Sequence, residues 1–175
     1  MRKKLEEALN AVEMTYADLV EIANDMSKPA FAQADKLVTD VNDRINALSV
    51  DQIRDSMLRL QLEAYRLSEI KDKAQLKADL ADALEKEKYA VTFNSLEGAA
   101  TVKDKLTQAE IADETISEVL YGIVAALFKT KVDQLHRLIS VLTSILMSKM
   151  QETKFMNMGA ADDASAYKVK REEYL

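Results

Sequence analysis

Apolar residues recur every three or four positions along most of this chain, a spacing that is typical of amphipathic helices. One such seam covers residues 3–26, and a second covers residues 29–48. Pro29 separates them, and proline both disfavours helical geometry at the preceding residue and suits the first turn of a new helix. We therefore predict that a new helix begins at Pro29. The alternative is a single helix that is kinked there.

Two much longer helical patterns lie between Ser49 and Phe155, on either side of a break at residues 97–100. Ser49 and Gln52 have the spacing of a capping box, and neither glycine nor proline follows before Gly98. After the break, Thr101 and Thr107 both offer helix starts. We predict an antiparallel helical hairpin over residues 50–155. Such a hairpin is expected to offer no concave pocket and to work by self-assembly or by binding a partner along its length.

The seam of the first arm changes character partway along the helix. It begins with large residues at heptad spacing, and beyond Ile70 the inward positions become small, at Ala74, Ala78 and Ala81. The larger apolar residues then shift to Leu76, Leu80, Leu84 and Val91. The pattern predicts that this helix changes its partner or its face midway.

The second arm is apolar on two faces, so both faces must be covered. The first arm of the hairpin can cover one face, and either the N-terminal helices or another subunit can cover the other. We predict a homo-oligomer whose interface includes Val124, Leu127, Phe128, Leu135, Leu138, Leu142, Ile145 and Leu146.

Composition supports long helices, because the 175 residues include three glycines and one proline. No strand-length stretch alternates apolar and polar residues. We predict an all-α fold, in which a long antiparallel hairpin packs with N-terminal helices over residues 3–48 and assembles into an oligomeric helical bundle. Residues 1–156 would form a single helical domain. The small, polar and charged residues 157–175 are predicted to form a flexible tail.

The net charge of −6 argues against strong non-specific binding to nucleic acid. The absence of cysteine excludes disulfides and thiolate metal sites and fits a cytoplasmic location. The longest apolar runs, residues 119–128 and 138–147, are about half as long as a bilayer crossing requires. We expect no membrane association.

Few residues offer catalytic or metal chemistry. Asp133 and His136 resemble half of a carboxylate–histidine pair in a di-metal bundle, which needs that motif twice, and the chain has one histidine. No nucleophile–base set, phosphate-binding loop or dinucleotide-binding glycine motif is present. We predict a protein that is not an enzyme and that needs no metal or cofactor.

Three patterns in residues 57–157 resemble the UvsY-like recombination mediators of phages. They are Met-Leu-Arg-Leu at 57–60, Leu-Lys-Ala-Asp-Leu at 76–80 before the break at Gly98, and Leu-Ile-Ser-Val-Leu-Thr-Ser at 138–144. The resemblance implies a ring-shaped oligomer, joined through its C-terminal region, that loads a recombinase onto single-stranded DNA coated by a single-strand-binding protein.

The resemblance also bears on the lysines of the first arm. The family's DNA-contacting motif is Leu-Lys-Ala-Arg-Leu, so Lys77 matches its lysine while Asp79 stands at its arginine. We predict weak single-stranded DNA binding by Arg66, Lys73 and Lys77; a mixed-charge, solvated face is the alternative for these residues. If the chain does not bind DNA, it would be an acidic helical module that binds a protein, as an inhibitor or assembly factor, or a structural coiled-coil spacer.

Overall fold

The computed structural model describes the backbone of residues 16–172 and the side chains of residues 16–154. This part of the chain forms four helices: α1 (Tyr16–Arg44), α2 (Val50–Ser95), α3 (Ala100–Glu110) and α4 (Ala112–Glu172). It contains no strand, so the all-α prediction is confirmed. The seam predicted over residues 3–15 lies outside the described residues.

Pro29 lies inside α1, so the prediction that a new helix begins there is wrong. The buried residues of α1 form one stripe on both sides of the proline: Leu19, Ala23, Ser27, Ala34 and Val41. An interior proline costs a helix about 3 kcal/mol or more, because one backbone donor is lost and the ring crowds the preceding turn. Burial of the continuous stripe against other helices offsets this cost. The residues next to Pro29 in the sequence do not indicate that burial.

The predicted capping box is present at the start of α2. Ser49 Oγ accepts a hydrogen bond from the backbone N–H of Gln52 at 3.3 Å, and Gln52 Oε1 accepts one from the backbone N–H of Ser49 at 2.8 Å. At the other end, Gly98 has φ = +120°, a conformation that residues with a Cβ atom rarely adopt. Glycine is therefore favoured at the predicted break, because other residues would be strained in this backbone conformation.

The second arm of the hairpin is divided into two helices, which the sequence did not predict. The short helix α3 begins at Ala100, before either predicted start, and ends at Glu110, because the next residue, Ile111, has φ = −99° and ψ = 4°. Ile111 is buried, and Tyr89 Oη donates a hydrogen bond of 2.8 Å to Asp104 Oδ1, which holds α3 against α2. The helix α4 then continues to Glu172, past the predicted hairpin end at Phe155. The flexibility predicted for residues 157–175 stays a prediction.

The helices pack as a bundle in which α4 lies mainly against α2 and also against α1. Lys88 contacts Glu114, whereas Lys77, earlier on α2, contacts Tyr121, later on α4, so these two helices are antiparallel. Phe31 packs on Phe128, with ring centroids 4.7 Å apart, and joins α1 to α4. The predicted hairpin with packed N-terminal helical structure is therefore confirmed.

The centre of the bundle is filled from α2 and α4, with Ile53, Leu60, Leu67, Leu135 and Leu142 fully buried. The small residues Ala74, Ala78 and Ala81 are also buried, as predicted for the inward positions of α2. Over the described residues, no helix combines the length and the apolar character that a membrane span needs.

Candidate functional site

The residues predicted to form an oligomer interface lie largely within the core of one chain. Val124, Phe128, Leu135 and Leu142 are buried there. Leu127, Leu138, Ile145 and Leu146 are half-buried and pack against the same core. The second apolar face of α4 is thus covered by α1, one of the two possibilities that the sequence left open. The prediction of an oligomer stays open, but the four buried side chains are already used inside the monomer.

Arg66, the first predicted DNA contact, is engaged inside the protein. Its Nε and Nη2 atoms donate to Glu63 Oε2 and Oε1 at 2.9 and 2.5 Å, and Nη2 also donates to the backbone oxygen of Ala30 at 2.6 Å. The Glu63 side chain is only 3% exposed, and the hydrogen bond to it raises the pKa of Arg66 above its ordinary value. Arg66 therefore neutralises a buried carboxylate and links α2 to α1, and it is not a free phosphate ligand.

Lys73 and Lys77 lie one turn apart on α2 and are both exposed. Lys77 Nζ lies 4.8 Å from the centroid of the Tyr121 ring on α4, within the range of a cation–π interaction. Asp79 is two positions from Lys77, so it faces another side of the helix, and it accepts a hydrogen bond of 2.8 Å from Gln75. The structure thus brings together two of the three predicted residues and adds an aromatic side chain.

These three side chains stand at an open groove of about 460 Å³ between α1, α2 and α4. The remaining lining is apolar: Met26, Ala30, Ile70, Ala74, Leu76, Val124 and Phe128. Within the described residues, neither Lys73 nor Lys77 forms an ion pair. The groove therefore combines two available ammonium groups with apolar and aromatic walls, which suits an anionic ligand that carries flat apolar groups.

A second groove, of about 500 Å³, lies beside the connection between α1 and α2. Its charged residues are already paired with near neighbours, since Arg44 contacts Asp40 and Arg59 Nε lies 2.9 Å from Asp55 Oδ2. This groove has less unpaired charge to offer a ligand than the groove at Lys77.

Three carboxylates and one lysine lie together where α2 packs on α4: Asp82, Glu85, Lys86 and Glu118. Burial and the neighbouring Asp82 and Glu85 raise the pKa of Glu118, and Lys86 opposes this shift. Glu85 Oε2 is buried without a hydrogen-bond partner in the described structure. The ionised form of Glu118 is therefore less favourable in the folded chain than in the unfolded chain.

The helix α2 also carries exposed apolar residues on the side away from the core. We call Leu58, Leu62, Tyr65, Leu76, Leu80 and Leu84 the outer stripe; their exposed fractions are 55, 62, 69, 68, 58 and 42%. At 100° per residue, Leu58, Leu62 and Tyr65 lie opposite the buried Leu60, Ala64 and Leu67. Sequence reasoning noted the shift to Leu76 and missed the first half of the stripe, although its four-three spacing was visible.

Asp133 and His136 are both exposed on α4. Among the residues described, no three histidine, aspartate or glutamate side chains come together as a possible metal site. No protein-family model matches the sequence, and comparisons with curated proteins and with solved structures also return no match.

Proposed function

We propose that this chain is a non-enzymatic, cytoplasmic accessory protein that binds single-stranded DNA at the groove beside Lys73, Lys77 and Tyr121. The observation that carries the proposal is the position of Lys77, with Nζ 4.8 Å from the Tyr121 ring at the edge of an apolar groove. Proteins that bind single strands without sequence preference combine such cations with aromatic surfaces on which bases stack.

Each binding site should be weak. Two lysines contact about two phosphates, so affinity should fall about sevenfold between 50 and 200 mM salt, given a slope of about −0.7 per phosphate for single strands. Stacking of one base on an aromatic ring adds about 1–3 kcal/mol. Several such sites on one oligomer would add through multivalency, which compensates for the acidic net charge of −6.

The resemblance to UvsY-like mediators supplies the specific role within this proposal. The protein would assist loading of a recombinase onto single-stranded DNA that is coated by a single-strand-binding protein, in the host cytoplasm if it is encoded by a phage. The patterns at 57–60, 76–80 and 138–144 support this role.

Fluorescence anisotropy with a labelled oligothymidine tests the DNA-binding step. We expect binding at low salt that weakens with added salt and that falls several-fold in Lys77→Gln and in Tyr121→Leu. Lys105→Gln is the matched control, because Lys105 is exposed on α3 and does not line the groove. If the wild-type protein binds no single strand even at low salt, the protein-binding alternative replaces this proposal.

A further inference from the structure

Four leucines of the outer stripe are placed symmetrically about Lys71, whereas Tyr65 and Leu76 have Lys77 and Arg66 at the corresponding positions. Leu62 and Leu80 each lie nine residues from Lys71, and Leu58 and Leu84 each lie 13 residues from it. Glu69 and Lys73, of opposite charge, each lie two residues from it. Such symmetry is what a two-fold axis requires of a helix that pairs with an identical helix running the opposite way.

We propose that the outer stripe binds a second copy of this chain, with the two α2 helices antiparallel across a two-fold axis at the level of Lys71. In this arrangement Leu62 meets Leu80 of the partner subunit, and Leu58 meets Leu84 of the partner subunit. Each contact occurs twice, because the same surface is used by both copies. The inference is independent of DNA binding, and it places the interface on α2, whereas the sequence predicted it on α4.

Charge selects the antiparallel orientation. About the axis, Glu69 faces Lys73 of the partner subunit, which gives two ion pairs beside the leucines. In a parallel, in-register pair, Glu69 would face Glu69 and Asp72 would face Asp72, and like charges juxtaposed across an interface are destabilising. Glu69 and Lys73 are both exposed in the described chain, so both are available for this contact.

The exposed area is sufficient for a specific dimer. The six side chains of the outer stripe are 42 to 69% exposed. Each leaves roughly 100 Å² in water, which gives about 600 Å² per chain before polar neighbours are added, against about 800 Å² per partner in a standard interface. The stripe forms two apolar patches of about 300 Å² each, on either side of Glu69 and Lys73, and patches of this size on a monomer are often functional. The symmetric pattern identifies the occupant as a second copy, because an unrelated partner would not require it.

Pairing also bears on the DNA groove. Lys73 would be shared between Glu69 of the partner subunit and DNA, and Tyr65 of the partner subunit would lie opposite Lys77, which contacts Tyr121 within its own chain. A wild-type chain that is monomeric but still binds DNA would therefore contradict this inference alone. Loss of DNA binding in an intact dimer would contradict the proposed function alone.

The first experiment is the molar mass by sedimentation equilibrium without DNA. We expect a dimer for the wild-type chain and a shift toward the monomer in Leu62→Glu and Leu80→Glu, with helical circular dichroism unchanged because both side chains are exposed. Val102→Glu on α3 is the matched control, since Val102 is 54% exposed and lies outside the stripe. A monomeric wild-type chain at 100 µM, or a dimer that is indifferent to Leu62→Glu and Leu80→Glu, would overturn the inference.

A second experiment determines the relative orientation of the two α2 helices. Each variant contains a single cysteine, because the chain itself has none. Leu62→Cys chains are mixed with Leu80→Cys chains that carry a size tag, oxidised, and separated on a non-reducing gel. The antiparallel pair joins the two different chains, because the cysteines of two Leu62→Cys chains would lie about 27 Å apart along the helix axis. Disulfides between identical chains would indicate a parallel pair and contradict the proposal.

Discussion

Replacement of Arg66 by alanine tests whether this residue acts as an internal counter-ion. The change leaves the carboxylate of Glu63 buried at 3% exposure without its hydrogen-bond donors, and it removes the donor to the Ala30 backbone oxygen. Breaking a buried ion pair by removing one partner costs about 3–5 kcal/mol. Arg66 is itself 40% exposed, so water reaches the vacated position and the expected cost is about 2–3 kcal/mol.

Urea denaturation followed by circular dichroism measures this loss of unfolding free energy. In a thermal melt of the same variant, the melting temperature should fall by about 4–12 °C for a chain of this size. Arg59→Ala is the matched control, because Arg59 lies on the same helix and its ion pair with Asp55 is exposed at 64 and 57%. The control should cost less than about 1 kcal/mol. If Arg66→Ala destabilises the chain no more than Arg59→Ala, Glu63 does not depend on Arg66 and the reasoning fails. DNA binding at low salt should be retained in the folded fraction.

Three further changes have defined outcomes. Burial, Asp82 and Glu85 raise the pKa of Glu118. The stabilisation of the folded chain by protonated Glu118 is therefore complete below about pH 4.5 and is lost as the pH rises through the raised pKa. Thermal melts should find Glu118→Gln stabilising at pH 7 and nearly neutral at pH 4. Gly98→Ala should destabilise by more than about 1 kcal/mol in urea melts, because φ is +120°, and equality with wild type would contradict this conformation. Asp79→Arg should strengthen single-strand binding in anisotropy titrations, but by less than Lys77→Gln weakens it, because Asp79 faces another side of α2; no change at low salt would contradict the resemblance.

Local signals in the sequence were sufficient for the helix boundaries that depend on a few neighbouring residues. The capping box at Ser49 and the glycine at the hairpin turn are of this kind, because hydrogen bonding and φ are settled within a few positions. Pro29 was misjudged because its local cost is offset by a stripe that packs on other helices. The break at Ile111 has neither glycine nor proline to mark it.

The candidate site needed information that the spacing of residues does not contain. Lys77 meets Tyr121 only because the two arms align in one register, and that register depends on how α3 and the breaks at its ends fold. Arg66 and Glu63 are neighbours on a helix and could be paired from sequence, but the burial of Glu63 depends on α1. The symmetric placement of the leucines in the outer stripe is visible in the sequence. Their exposure in the folded chain is what indicates that they are available for an interface.

Photochemical cross-linking of the wild-type chain to an oligothymidine that contains 5-iodouracil, mapped by mass spectrometry, tests the DNA-binding site most directly. Two tyrosines on different surfaces serve as internal reporters: Tyr121 in the groove, and Tyr16, which is 67% exposed at the start of α1. Binding at the groove predicts that the cross-link falls on Tyr121 and disappears at high salt. Cross-linking at Tyr16 in place of Tyr121, or none at low salt, would contradict the account.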